Sequence, residues 1–362
     1  MTAEPREPGD TTYWISEHDV VSVLDLADAV GAIRSGFTQE GTGVGAELEK
    51  TMLGYGDHAT LHALGAALTG VQLAGVKTWT HTPGGADPVL CMFDTVTGHL
   101  VACIEAFALG QLRTAGTAAL ATDLLAAPNA SVLAVIGTGK QALPQVAAVA
   151  QVRGLTEVRA YSRSEERREA FATKVGDAIG VPCRATSSAR EAADGADVVT
   201  LVTRATKPVL LGDMVAPGMH VNAIGAIDLE RREFEPEILS HCAAVVTDSL
   251  AQAKRLSSEL REHFGVASDD EDDTSPWRHV QSLGAVVARR ARARGPGDVT
   301  LFKGMGSGIE DVALGVAVLE RLGIGRAGGQ EVGRTAGDAR TSVAAIGRPG
   351  RAAVRLRPRS LV

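Results

Sequence analysis

Residues 135–145 read "VIGTGKQALPQ", and they decide the fold. The apolar run "SVLAVIG" (131–137) leads in, and residues 141–152 carry Ala, Val and Leu at helical spacing. Strand, glycine turn and helix in that order make the arrangement that holds dinucleotide phosphates. Gly137, Thr138, Gly139, Lys140, Gln141 and Ala142 give the pattern GxGxxA. The first glycine permits the tight turn, and the second lets a pyrophosphate approach the backbone. A small residue in third place lets helix and strand pack closely. The helix start adds free N–H groups and partial positive charge. Residues 137–141 are therefore the expected phosphate contacts. Glycine turns join strands to helices in many proteins, so the surroundings must support the reading.

They do. "EVRAYSR" (157–163), "ADVVTLVT" (196–203), "HVNAIGA" (220–226) and "AAVVTDS" (243–249) are further strand-like runs separated by helical segments. Ser164, followed by glutamates, reads as an N-cap with a capping box. Short strands alternating with helices mean an α/β fold with a parallel, doubly wound Rossmann sheet. The end of its second strand selects the cofactor. NAD sites usually place an acid there, whereas NADP sites use small polar residues and Arg for the 2′-phosphate. Here stand Ser162, Arg163 and Ser164, with no acid before Glu165. Arg163 suits phosphate through charge-assisted contacts. NADP(H) is expected ahead of NAD(H), which stays open. Thr203, at the end of a later strand, lies where Rossmann proteins touch the cofactor.

The first 113 residues differ. "ATLHALGAALTGVQLAGVKTWTHT" (59–82) and "PVLCMFDTVTGHLVACIEAFAL" (88–109) are short alternating pieces around Gly and Asp-Thr turns. They predict a mostly antiparallel sheet, with one amphipathic helix over Asp19–Phe37 ahead of it. After an acidic loop, "SDDEDDTSPW" (268–277), the stretch "VQSLGAVVARRARA" (280–293) reads as a helix. "VTLFKGMG" (299–306) and the helix "IEDVALGVAVLERLG" (309–323) are expected to return to the first domain. The expected division is a discontinuous α+β domain, 1–120 with 303–325, for substrate binding and dimerisation. Residues 121–302 form the Rossmann domain, and 326–362 a disordered basic tail.

The chain has 362 residues, 45% of them hydrophobic, with a mean hydropathy of +0.06, and this suits a soluble globular protein. No apolar run reaches the roughly 18 residues of a membrane span. The first twenty residues lack the features of a secretion signal. Cys91, Cys103, Cys183 and Cys242 form no CxxC pair, consistent with a reducing cytoplasm. From Arg326 onward eight arginines face only Glu331 and Asp338, so the tail carries +6 and the body −13 of the net −7. An acidic body argues against a nucleic-acid surface. His58 and His62 are spaced like two ligands on one helix face but have no third ligand, so no metal is expected. Carboxylates 269–273 lack the spacing of a calcium loop.

Seven motifs then coincide in order: "GVKTW" (75–79), "LRTAGTAALATDLLA" (112–126), "VLAVIGTGKQA", "EVRAYSRS", "ADVVTLVT", "VNAIGA" with "RREFEPEIL" (231–239), and "LFKGMGSGIEDVALG" (301–315). Together they resemble the ornithine cyclodeaminase/mu-crystallin family over about residues 15–325. The resemblance implies a homodimer, with a cleft where the nicotinamide meets a small imino or amino acid. It implies that Lys77 is the active-site lysine and Arg113 the arginine gripping the substrate carboxylate. Lys50 falls near another carboxylate-binding position, and Thr114 and Ile224 near the cofactor. It also places Asp311, at a helix start, beside the active site. His81, in the polar loop "WTHTPGGADP" (79–88), is a further pocket candidate.

Chemistry favours these residue types independently. A guanidinium fork fixes the carboxylate of a 2-imino or 2-oxo acid and so aims the neighbouring carbon. A lysine whose pKa is lowered by desolvation and by Arg113 relays a proton. Taken alone, Lys77 would read as a snorkelling surface lysine and Arg113 as a helix-start ion pair. Where cyclodeaminases carry an Asp, two positions after Gly225, this chain has Ile227, with Asp228 one step later. A one-residue shift on extended chain turns a side chain to the other face. The Met-Pro pair common before the lysine strand is replaced by "HALGAAL" (62–68), and Gly110 stands where many members have Thr. The missing Asp, together with Ser162, Arg163 and Ser164 at the cofactor strand, favours an NADP-dependent imine or ketimine reductase or amino-acid dehydrogenase. The other two departures leave the substrate open. The alternatives are an NAD-recycling cyclodeaminase and a non-catalytic NADPH-binding protein.

Overall fold

The computed structural model describes residues 11–267, 274–289, 295, 297–324 and 344–345. Among these the chain builds two sheets. The first runs in spatial order β15 (Ala344–Ala345), β1 (Tyr13–Ile15), β6 (Leu100–Glu105), β5 (Val89–Asp94), β4 (Leu73–His81), β3 (Ala59–Leu68) and β2 (Gly45–Tyr55). β2 to β6 form an antiparallel meander, and β1 pairs parallel to β6. Alternation along β5 puts Leu90, Met92 and Asp94 inside, as a one-sided sheet requires. The second sheet is all parallel, in the order β9 (Cys183–Ala185), β8 (Glu157–Tyr161), β7 (Val132–Ile136), β10 (Val198–Leu201), β11 (His220–Ala223), β14 (Val299–Lys303), β12 (Cys242–Thr247) and β13 (Val280–Ser282). The order reverses between β7 and β10, and such a switch point opens a crevice at the strands' carboxyl ends. The α/β class, a Rossmann sheet beside a discontinuous α+β unit, is as the sequence indicated.

One helix joins the two sheets. α3 (Phe107–Leu125) is Ala-rich and buried almost all round, from Ala115 to Thr122. Such a helix has no solvent face and belongs in a core. Its buried polar groups tie it to the Rossmann sheet: Asn222 Nδ2 donates to Thr122 Oγ1 at 2.8 Å, and Thr300 Oγ1 to the Leu125 carbonyl at 3.1 Å. Its N-terminus has no cap of its own. Glu17 supplies one from α1 (Glu17–Val23), accepting from the amides of Phe107 and Ala108 at 2.5 and 2.9 Å. A carboxylate there also suits the helix dipole.

Several local expectations change. Asp19–Phe37 is not one helix but α1 and α2 (Leu26–Gly41), because Asp25 starts a second capping box with Asp28. The segment "VTLFKGMG" does not return to the first domain: β14 inserts between β11 and β12, and only the helix after it crosses back. That helix, α10 (Gly308–Arg321), packs on α2, β3 and β4. Residues 280–282 are strand, so the next helix, α9 (Leu283–Ala288), starts later than expected. Ser164 does cap α5 (Glu165–Ile179), accepting from the Arg167 amide, but with Arg at that position no carboxylate completes a box. His58 lies in a turn and His62 on β3, not on a helix. The acidic run 268–273 and the tail, apart from 344–345, lie outside the described residues. No described helix is long and apolar enough to cross a membrane.

Candidate active site

The glycine loop sits at the carboxyl end of β7, before α4 (Ala142–Val152). Gly137 has φ +109°, and a Cβ there would stand 2.5 Å from the Val202 carbonyl oxygen. Only glycine fits. At Gly139 a Cβ would meet nothing within 4 Å, so the loop faces open space with room for a phosphate. α4 begins at Gln141 without a side-chain cap, and Gln141 Oε1 is buried with no partner among the described residues. Uncapped amides at a helix start suit an anion. At the end of β8, Arg163 and the nearby Lys140 are exposed, and Arg163 makes no ion pair with any described residue. Ser162 Oγ donates to the Ser164 carbonyl at 3.1 Å. These residues fit a dinucleotide, with Arg163 free to meet a phosphate.

The next two strand ends are braced by a residue the sequence reading passed over. Glu233, fully buried, accepts at Oε1 from the Thr203 amide (2.6 Å) and hydroxyl (2.9 Å). Its Oε2 accepts from the amides of Gly225 (2.6 Å) and Ala226 (3.0 Å). Buried Lys303 donates to the Ala226 carbonyl at 2.5 Å and lies 3.8 Å from Glu259. Thr203 is therefore committed to Glu233. Ile224, 8% exposed, ends β11 beside Gly304. Thr114 turns its hydroxyl back to the Gly110 carbonyl, and its own carbonyl accepts from Gln145 Nε2, which links α3 to α4.

Facing these loops, four ionisable groups meet. Lys77 on β4 donates to Asp311 Oδ1 at 2.6 Å, both side chains being buried. Arg113 on α3 donates through NH1 to Glu310 Oε2 at 2.8 Å, and its Nε lies 3.7 Å from Asp311 Oδ1. The acids reach because α10 starts against the sheet: a Cβ on Gly308 would collide with the Gly65 backbone. Asp248 shapes the preceding turn, accepting from the Met305 and Gly306 amides at 2.8 Å each. Three buried polar atoms make no hydrogen bond among the described residues: Arg113 Nε, Glu310 Oε1 and Asp311 Oδ2. Unsatisfied groups cost free energy unless a ligand or water meets them.

Electrostatics are set by burial. Desolvation pulls the Lys77 ammonium below its ordinary value, opposed chiefly by Asp311. Desolvation drives Glu310 well above the carboxylate range against the pull of Arg113. Arg113 stays charged, held up by Asp311 and Glu310, and is 22% exposed. Lys50 is half-buried, its ammonium 5.9 Å from the Trp79 ring centroid, and burial with its cationic neighbours brings it to about 8. His81 ends β4 and is exposed. Lys77, Arg113, Asp311 and Lys50 thus share one locality, with His81 at its rim. The described residues hold no metal-binding cluster, and His62 instead stacks on Trp79 at 4.7 Å.

A Rossmann sheet beside a buried lysine, arginine and two acids fits a nicotinamide-nucleotide-dependent oxidoreductase. Its relatives narrow the class. The chain belongs to the ornithine cyclodeaminase/mu-crystallin family, whose family model matches residues 11–325. It is 31% identical over 235 residues to the ketimine reductase mu-crystallin of Mus musculus, spanning 65% of this chain and 69% of that one. It is 29% identical over 266 residues to a Delta(1)-pyrroline-2-carboxylate reductase of Bacillus cereus, spanning 72% and 78%. The structure of an archaeal alanine dehydrogenase dimer with bound NAD superposes with a TM-score of 0.76 at 28% identity, covering 86% of this chain and 95% of that one.

Proposed function

We propose that the protein reduces small 2-imino acids, cyclic imines among them, with NADP(H) as the preferred nucleotide. The observation that carries this reading is the buried Lys77–Asp311 pair next to Arg113. Residues 137–141 would hold the pyrophosphate, Arg163 with Ser162 and Ser164 the 2′-phosphate, and Thr114, Thr203 and Ile224 would line the nicotinamide side. Bound there, a reduced nicotinamide nucleotide supplies hydride. Arg113 grips the substrate carboxylate with the guanidinium nitrogens that Glu310 leaves free, and so orients the imine carbon. Lys77 Nζ holds the proton that passes to the imine nitrogen, and Asp311 keeps that ammonium charged and aimed. Carbon gains the hydride, nitrogen the proton, and an amine results.

Asp228 speaks against the cyclodeaminase alternative. Its Oδ1 accepts from the Glu230 and Arg231 amides at 3.1 and 3.0 Å, and Oδ2 lies 3.3 Å from Arg231 Nε, so the carboxylate closes its own turn. We also infer a homodimer. The sheet face turned away from α10 leaves Leu48, Leu53 and Leu61 exposed on β2 and β3, an apolar edge that a second copy would cover. The reading is tested by NADPH oxidation against cyclic 2-imino acids and against 2-oxo acids with ammonia. Turnover is expected on this panel, with no ammonia released from ornithine at catalytic cofactor. Ornithine-dependent ammonia release without net NADPH consumption would transfer the protein to the lyase branch.

A further inference from the structure

Gln145 is a polar residue where packing alone would not place one. It lies one turn into α4, the helix that follows the glycine loop, and its side chain is fully buried. The interface it enters is built of alanines: Ala118 and Ala119 of α3 and Ala147 and Ala148 of α4 are buried in one core cluster. Side chains this small let two helices approach closely. Gln145 Nε2 donates to the Thr114 carbonyl at 3.1 Å, but Oε1 meets no partner among the described residues. A buried acceptor left unmet costs free energy, so an apolar residue of the same size would serve stability better here.

The carbonyl that accepts from Gln145 belongs to the residue after Arg113. This turn of α3 carries two further added donors. Thr114 Oγ1 bonds the Gly110 carbonyl at 3.0 Å, and Thr117 Oγ1 bonds the Arg113 carbonyl at 2.8 Å. Side-chain donors on helix carbonyls set the local bend of a helix. Two of the three belong to α3 itself, whereas the Gln145 amide comes from α4. Arg113 is thus fixed from two sides, its tip by Glu310 on α10 and its backbone from the glycine-loop helix.

A contrasting contact closes the far end of the same helix pair. Arg153, just past α4, donates to the carbonyls of Thr122, Asp123, Ala126 and Ala127 at 3.0 Å each and to Asp123 Oδ1 at 3.1 Å. These bonds satisfy the C-terminus of α3. Thr114 and Ala126 are about 18 Å apart along the helix. Arg153 therefore secures the helix pair away from Arg113, and Gln145 secures it beside Arg113.

We propose that Gln145 is a positioning residue: through the Thr114 carbonyl it ties the helix bearing the substrate arginine to the helix bearing the nucleotide, and so sets the distance over which hydride passes. The inference rests on the reductase reading above.

The test uses the full chain with NADPH and the 2-imino acid it turns over fastest. Gln145→Met keeps the volume and removes both the bond and the unmet acceptor. Its thermal midpoint should hold or rise, and its NADPH affinity, read by nucleotide fluorescence, should be unchanged. The single-turnover rate of NADPH oxidation, which separates chemistry from product release, should fall by roughly 10–100-fold, the scale of a misplacement near 1 Å. Arg153→Met should do the reverse, lowering the thermal midpoint and leaving the single-turnover rate of the folded protein in place. A Gln145→Met protein that loses stability or NADPH affinity and keeps its single-turnover rate overturns the proposal and leaves the reductase standing. An equal fall in rate in Arg153→Met overturns it too, since any slackening of α3 would then suffice. Absence of turnover by the unaltered protein on every imine overturns both readings.

Discussion

Lys77 and Asp311 are 234 residues apart in the chain, yet their side chains meet at 2.6 Å in the buried seam between β4 and α10. The pair gives the reductase reading a sharp consequence. Lys77→Met should lower kcat by roughly 100–10,000-fold, the range of general-acid effects, with nucleotide affinity unchanged. Asp311→Asn is more informative. Asp311 holds the ammonium's pKa up, so its loss lets burial pull Lys77 lower. The alkaline limb of the kcat profile should then move to lower pH. Stability should fall as well, by about 3–5 kcal/mol, because a buried charge loses its partner. A profile left in place by Asp311→Asn would remove Asp311 from the proton path.

The proposed preference for NADP(H) rests on Arg163, exposed and unpaired among the described residues at the end of β8. Arg163→Ala should raise KM for NADPH by roughly 10–100-fold and leave NADH within a few-fold, since only the 2′-phosphate is lost as a partner. Ser162→Asp should reverse the preference by repelling that phosphate and offering the ribose hydroxyls an acceptor. Equal effects on both nucleotides would show that Arg163 does not read the 2′-phosphate.

Glu233 links the β10 and β11 ends through four hydrogen bonds to Thr203, Gly225 and Ala226. Glu233→Ala orphans three amides and a hydroxyl and should cost about 2–4 kcal/mol in thermal or urea unfolding. Glu233→Gln, with one acceptor oxygen instead of two, should fall between. The nucleotide KM should rise in both, the loops being less fixed. Unchanged KM in a stable Glu233→Gln protein would confine the residue to a structural role.

The parts of this site that were legible beforehand are those whose constraint is local. Gly137 must be glycine because its own φ and the Val202 carbonyl demand it, and the pattern is written within six residues. Lys77 and Arg113 were visible only through family motifs, since neither a β4 lysine nor an α3 arginine shows in isolation that it is buried. Glu310 and Glu233 were missed because their roles exist only between distant segments: Glu310 finds Arg113 197 residues away, and Glu233 finds Thr203 30 away. The position of β14 within the sheet was hidden likewise, because a strand's sequence does not name its neighbours. The break at Leu24–Asp25 was there to be read, in the Asp25–Asp28 spacing that starts a new helix.

The seam between the two sheets should also titrate. Glu47 on β2 accepts from Ser249 Oγ at 2.9 Å and from the Gly308 amide at 3.3 Å, joining the Rossmann side to the start of α10. Burial raises its pKa to about 7, with Asp248 adding to the effect and its hydrogen bonds opposing it. The folded carboxyl therefore binds a proton that the unfolded one has released between the usual carboxylate value and neutrality. A raised pKa contributes stability that is complete below the unfolded value and lost as pH rises through the folded one. Unfolding free energy should thus decline between about pH 4.5 and 7 and level off above. Glu40, also raised to about 7 by burial, adds to the same decline. Glu47→Gln cannot titrate, so it should flatten the curve by about 3 kcal/mol over this window and leave the Glu40 contribution. Urea titrations of both proteins at a series of pH values measure the difference, and identical slopes would show that Glu47 is ionised in the folded seam.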